Sequence, residues 1–113
     1  MESSNTYFPL PHRKGKPQKI QYSDILYLEG SINYTLIHLQ NGKVMVSPRT
    51  LLYHIQQSLN DSFIRIHRAF CVNTQYIKGV VNDDANYLLL EGNVKLAISR
   101  RRGKVFRDYL LVA

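Results

Sequence analysis

The chain has 113 residues, with 15 Lys and Arg against 8 Asp and Glu, a formal net charge of +7. That length bounds it to one domain able to bury roughly 65% of its unfolded surface, and the charge points to a polyanion: nucleic acid first, anionic membranes or acidic proteins after it. The lone Cys71 excludes an internal disulfide, and neither the apolar stretch of a signal peptide nor a run near the ~18 residues of a membrane span is present, so the expected location is the cytoplasm, with no membrane partner.

Residues 1–5 are polar and expected to be a disordered tail. Thr6 to Leu10 fits a short edge strand, where Pro9 is tolerated. His12 to Pro17 is a basic turn with two breakers, and Lys19-Ile20-Gln21 pairs back as a hairpin. Ile25 to Glu29 is apolar enough for a buried strand. A loop over residues 30–33 leads to Tyr34 to Leu39, which alternates at period two as a half-buried strand should. Asn41-Gly42 is the strongest hairpin signal in the chain and returns it through Lys43 to Val46. Ser47 as N-cap and Pro48 at the first helical position predict a helix. Its apolar face is Leu51, Leu52, Ile55 and Leu59, and Asn60-Asp61-Ser62 ends it. Phe63 to Ile66 is the next strand, interrupted by His67-Arg68. Tyr76 to Val81, Tyr87 to Leu90 and Val94 to Ile98 follow, separated by turns over residues 82–86 and 91–93. A short C-terminal helix is expected over 103–111. Many short strands with one solid helix predict a mostly β, antiparallel fold.

The residues richest in chemistry are Phe63-x-Arg65-x-His67-Arg68-x-Phe70-x-Val72-Asn73 and the later Ile98-Ser99-Arg100-Arg101-Arg102. With the strand Asp24 to Glu29, Asn33-Tyr34 opening the next strand, the helix after Pro48 and the Ile77 strand, they resemble the LytTR-type DNA-binding domain. That family supplies the output module of many bacterial response regulators in two-component systems. The likeness runs from about Ile20 to Leu111. Ala69-Phe70 stands where the family often has Ser-Tyr, a departure that loses two hydroxyls. The resemblance implies a single elongated β domain over 6–113, with one central helix and a short C-terminal helix. It leaves no room for the receiver domain that usually accompanies such modules, so the chain is either a stand-alone regulator or a fragment of a longer one. It further implies that loops, rather than a recognition helix, enter successive major grooves of double-stranded DNA. The DNA-binding set it implies is Ser31, Asn33 and Tyr34, then Arg49 and Thr50, then Ser99, Arg100, Arg101, Arg102 and Lys104. A homodimer on promoter repeats is the expected assembly.

Residue chemistry agrees with those positions. Arginine pairs two ways with guanine and asparagine with adenine. Arg49 opposes the dipole of the helix it precedes, which invites a compensating anion. Each position also has a plainer account: the arginine run as a solvated loop, Asn33 as a turn cap. His67, Arg68 and Asn73 are read as a structural motif that pins a strand end by hydrogen bonds. Catalysis is not expected. Cys71, between Phe70 and Val72, reads as a small core residue. The four histidines lack the paired spacing of zinc sites, and there is no glycine-rich phosphate loop. No cofactor and no small-molecule substrate are implied. Two other classes remain open: an RNA-binding or ribosome-associated module that stacks bases on exposed tyrosines, and an interaction module for an acidic protein.

Overall fold

A computed structural model describes residues 7–11, 18–82 and 86–102. Strands β1 (Tyr7–Leu10) and β2 (Gln18–Gln21) form a hairpin. A five-stranded sheet is built from β3 (Ile25–Gly30), β4 (Thr35–Leu39), β5 (Val44–Ser47), β6 (Phe63–His67) and β7 (Phe70–Asn73), in the order β5-β4-β3-β7-β6. A three-stranded sheet holds β8 (Ile77–Asn82), β9 (Asn86–Leu90) and β10 (Val94–Ala97), in the order β10-β9-β8. Every pairing is antiparallel. The fold is mostly β, as expected, with the α-helix α1 (Leu51–Gln57) and the helical start of residues 100–102 among the described residues. The expected tail, the turn over 12–17, the centre of the 82–86 turn and the C-terminal helix lie outside the described residues.

The five-stranded sheet is the middle layer. One face packs Leu28, Ile37 and Cys71 against Phe8, Leu10, Ile20 and Tyr22, with Leu51 of α1 closing the cluster. The other face packs Tyr27, Ile66 and Val72 against Leu88, Leu90 and Leu96 of the smaller sheet. Strand β3 is central and covered on both faces, so Ile25 to Leu28 are all buried and do not alternate. The Asn41-Gly42 turn forms as its residues predict. Gly42 sits at φ 93°, where glycine carries no steric penalty, and Asn41 Oδ1 accepts from the Lys43 N–H at 2.9 Å.

Two expected elements are corrected. His67-Arg68 does not merely interrupt a strand. It leads into a turn at residues 68–69, and the chain returns as β7, a strand the alternation pattern did not reveal. The reason is burial on both faces: Cys71, Val72 and Asn73 are all inside. The helix also starts three residues later than its predicted cap implies. Thr50 is the N-cap, its Oγ1 accepting from the Tyr53 N–H at 3.1 Å. Ser47 instead ends β5, fully buried, with its hydroxyl 2.6 Å from His54 Nε2. The buried residues of α1 are Leu51 and the polar His54, and the C-cap Ser58 is buried beside them. Leu52, expected inside, is 51% exposed.

Gly30 ends β3 directly beneath the first residue of α1. A Cβ there would lie 2.8 Å from Leu51 Cβ. Gly30→Ala is therefore expected to push α1 off the sheet and cost about 1–3 kcal/mol. Urea unfolding of the two proteins measures this, and an unchanged midpoint would show that α1 can shift without loss.

Candidate nucleic-acid interface

Two turns and the segment that follows β10 meet at one end of the five-stranded sheet. The first, residues 31–34, joins β3 to β4 and is closed by the Ser31 N–H donating to Tyr34 O at 2.9 Å. The second joins β6 to β7 and is tied to the first by the Gly30 N–H donating to Ala69 O at 2.8 Å. The third is the segment after β10. Its Ser99 N–H donates to Ile66 O at 2.9 Å, which docks it against the end of β6.

The side chains of the motif hold the second turn in shape. Arg65 Nη2 donates to Arg68 O at 2.7 Å and its Nε to His67 O at 3.3 Å. His67 Nδ1 accepts from the Ala69 N–H at 3.1 Å. A guanidinium thus braces two carbonyls that would otherwise face water, and an imidazole closes the turn from the other side. The side chain of Arg68 is exposed. At the far end of β7, Asn73 is buried. Its Nδ2 donates to Tyr22 O at 3.1 Å and Ile25 O at 2.9 Å, and its Oδ1 accepts from the Gln75 N–H at 3.2 Å.

Ser31, Asn33 and Tyr34 are exposed on the first turn, and Arg49 and Thr50 are exposed just before α1. Thr35 Oγ1 donates to Arg49 O at 2.8 Å, so the start of α1 is fixed to the start of β4. The Arg49 guanidinium lies 4.8 Å from the Tyr53 ring centroid, a cation–π contact. On the third segment, Ser99 Oγ accepts from the Arg102 N–H at 3.2 Å, and residues 100–102 turn helical. Arg100 and Arg101 are exposed and Arg102 is half-buried. Lys104 lies outside the described residues.

The first two turns and the start of α1 enclose an open cleft of about 490 Å³, lined by Gly30, Ser31, Ile32, Thr50, Leu51, Leu52, Arg65, Arg68 and Ala69. Burial, and after it the charge of Arg102, lowers the pKa of Arg65, so the third segment shares this field. Glu29, one residue before Gly30, is engaged by His38 Nε2 at 2.9 Å. The DNA-binding set expected from the sequence leaves out Arg65 and Ile32, which line the cleft. The Arg-x-His spacing of β6 was the available signal for Arg65. Cys71 is its cross-strand partner on β7, and burial pushes its thiol from 9.0 up to about 12, with Arg65 and Arg102 opposing. It stays a protonated thiol at neutral pH and is no nucleophile. Among the described residues no helix is long and apolar enough to cross a membrane.

A β domain that gathers arginines on turns at one end of a sheet is built to meet a polyanion. The family model of the LytTr DNA-binding domain matches residues 16–111, and the chain belongs to that family, whose function is DNA binding. The sensory transduction protein LytT of Bacillus subtilis (strain 168) is 30% identical over 95 residues, which are 80% of this chain and 38% of that protein. The chain thus spans well under half the length of that relative. The LytTr DNA-binding domain of a putative methyl-accepting/DNA response regulator from Bacillus cereus superposes with a TM-score of 0.75 at 24% identity, covering 93% of this chain and 96% of that one. The two share the fold.

Proposed function

We propose that this domain, as the DNA-binding module of a bacterial transcription regulator, recognises specific sequences in double-stranded DNA by inserting its turns into successive major grooves. The observation that carries the proposal is the convergence of two turns and the arginine-bearing segment after β10 through two backbone hydrogen bonds, Gly30 to Ala69 and Ser99 to Ile66. Asn33, Arg100 and Arg101 are exposed and have the donor geometry to read base edges, Asn towards adenine and Arg towards guanine. Ser31, Tyr34, Arg49, Thr50, Ser99, Arg102 and Lys104 serve the backbone, where contacts fix register without reading sequence. His67 and the carbonyl of Arg68 hold the second turn in place and Asn73 pins the far end of β7, while the exposed Arg68 side chain adds positive charge to the cleft. Two protomers on repeated sites in a promoter would extend the contact along one face of the duplex.

Selection from a randomised duplex library, followed by affinity against salt, tests this. The winning duplex is expected to bind at least ~10³-fold tighter than its scramble. Log K should fall with log salt at about −0.9 per phosphate neutralised. Arg101→Ala is expected to cost about 1–3 kcal/mol on the winner and to relax preference at one position. Equal binding to the winner, the scramble and a duplex RNA would reduce the arginines to a generic polyanion patch and overturn the proposal.

A further inference from the structure

Ile32 is 88% exposed, well beyond Val46 at 57%, the next most exposed large apolar residue described. Leu52, on the first turn of α1, is 51% exposed. Both line the cleft that Arg65 and Arg68 also line. A lone exposed aliphatic needs no explanation on an ordinary surface. This one projects from the turn between Ser31 and Asn33, and the turn is locked from below by the Gly30–Ala69 hydrogen bond and across by Ser31–Tyr34. A β-branched side chain on a locked turn has few rotamers to lose on binding. It is a rigid apolar point set among cations.

The cations decide what such a point can meet. A second copy of this chain, with its net charge of +7, would bring like charges together at the cleft. Duplex DNA brings phosphates to the arginines and offers the apolar point a partner, because the major-groove edge of thymine carries a C5-methyl group. The geometry points to Ile32 as a reader of thymine, selecting T·A by apolar contact beside Asn33, which selects by hydrogen bonds. This role rests on the duplex-binding proposal above and adds a base-specific contact to it.

The experiment replaces each thymine of the winning duplex in turn by deoxyuridine. That removes the C5-methyl and leaves every hydrogen-bonding group and phosphate in place. The wild-type domain is expected to lose about four-fold in affinity at one or two positions, the worth of one buried methyl. At least one of those losses is expected to vanish in Ile32→Ala, which closes a double-mutant cycle between the residue and the methyl. Ile32→Val, which keeps the branched methyls, is expected to retain the loss and so separates contact from any folding defect. Identical penalties in wild type and Ile32→Ala at every thymine, or none in either, would overturn the assignment while leaving duplex binding intact. So would an Ile32-dependent dimer seen in sedimentation without any thymine effect. A wild-type domain with no preference for any duplex would overturn the binding proposal itself, and this role with it.

Discussion

Asn73→Leu is expected to cost the domain about 2–6 kcal/mol of folding stability. Leucine matches the shape of asparagine but donates nothing, so the carbonyls of Tyr22 and Ile25 would be left buried without the donor that now serves both. Each stranded acceptor costs about 1–3 kcal/mol. Against a total of about 5–15 kcal/mol for a domain, that is a large fraction. The two bonds reach back 51 and 48 residues along the chain. They join the end of β7 to the corner that leads into β3, so their loss unpins the centre of the sheet. Urea unfolding measures the effect as a lower midpoint at unchanged slope. A loss below about 0.5 kcal/mol, the lower end of a net hydrogen bond, would mean that water serves the carbonyls and that Asn73 does not pin the sheet. DNA affinity of the folded fraction is expected to hold, because Asn73 lies at the far end of β7 from the turns.

Acid is expected to destabilise the fold through His54. The ring is fully buried between Ser47 Oγ at 2.6 Å from Nε2 and Ser58 Oγ at 2.9 Å from Nδ1, with the Phe8 ring centroid 4.8 Å away. Burial, and after it the nearby charge of Arg49, lowers its pKa from 6.5 to about 4. Above pH 6.5 both the folded and the unfolded chain hold the ring neutral, and stability is at its full value. Between pH 6.5 and 4 the unfolded chain takes up a proton that the folded chain refuses, so stability falls as pH falls. At about 1.36 kcal/mol per pKa unit the loss reaches about 3 kcal/mol by pH 4. Carboxylates titrate in the lower part of this window too, so the readout is the difference between wild type and His54→Gln. The variant is expected to be less stable at neutral pH and to lose less between pH 6.5 and 5. Parallel pH profiles for the two proteins would show that the ring is not held neutral by the fold. Because His54 joins α1 to the end of β5, acid is expected to loosen first the segment that carries Arg49 and Thr50.

The parts of the fold legible in the sequence were those written locally. Asn41-Gly42 names its own turn, because only certain residues tolerate positive φ. The apolar run Ile25 to Leu28 declares a buried strand, and the motif from Phe63 to Asn73 carries the family resemblance. Strand β7 was not legible, because burial on both faces erases alternation. The start of α1 is ambiguous in the sequence because Ser47 and Thr50 are both good caps; the buried imidazole of His54 claims the Ser47 hydroxyl and leaves the cap to Thr50. The same imidazole explains the error at Leu52. A helix face that mixes Leu51 with His54 and Ser58 does not look apolar in sequence, so a neighbouring leucine took its place in the pattern.

By itself, then, the sequence determined the class of the protein: a small basic β domain of a DNA-binding family, with its arginines in named segments. Composition and short-range chemistry suffice for that. Only the tertiary structure decided that residues 31–34, the Arg65–Arg68 turn and residues 99–102 share one end of the sheet, that Arg65 braces carbonyls there, and that Ile32 stands exposed among cations. These are relations between residues dozens of positions apart, set by strand register and by which faces are covered. No local pattern encodes them.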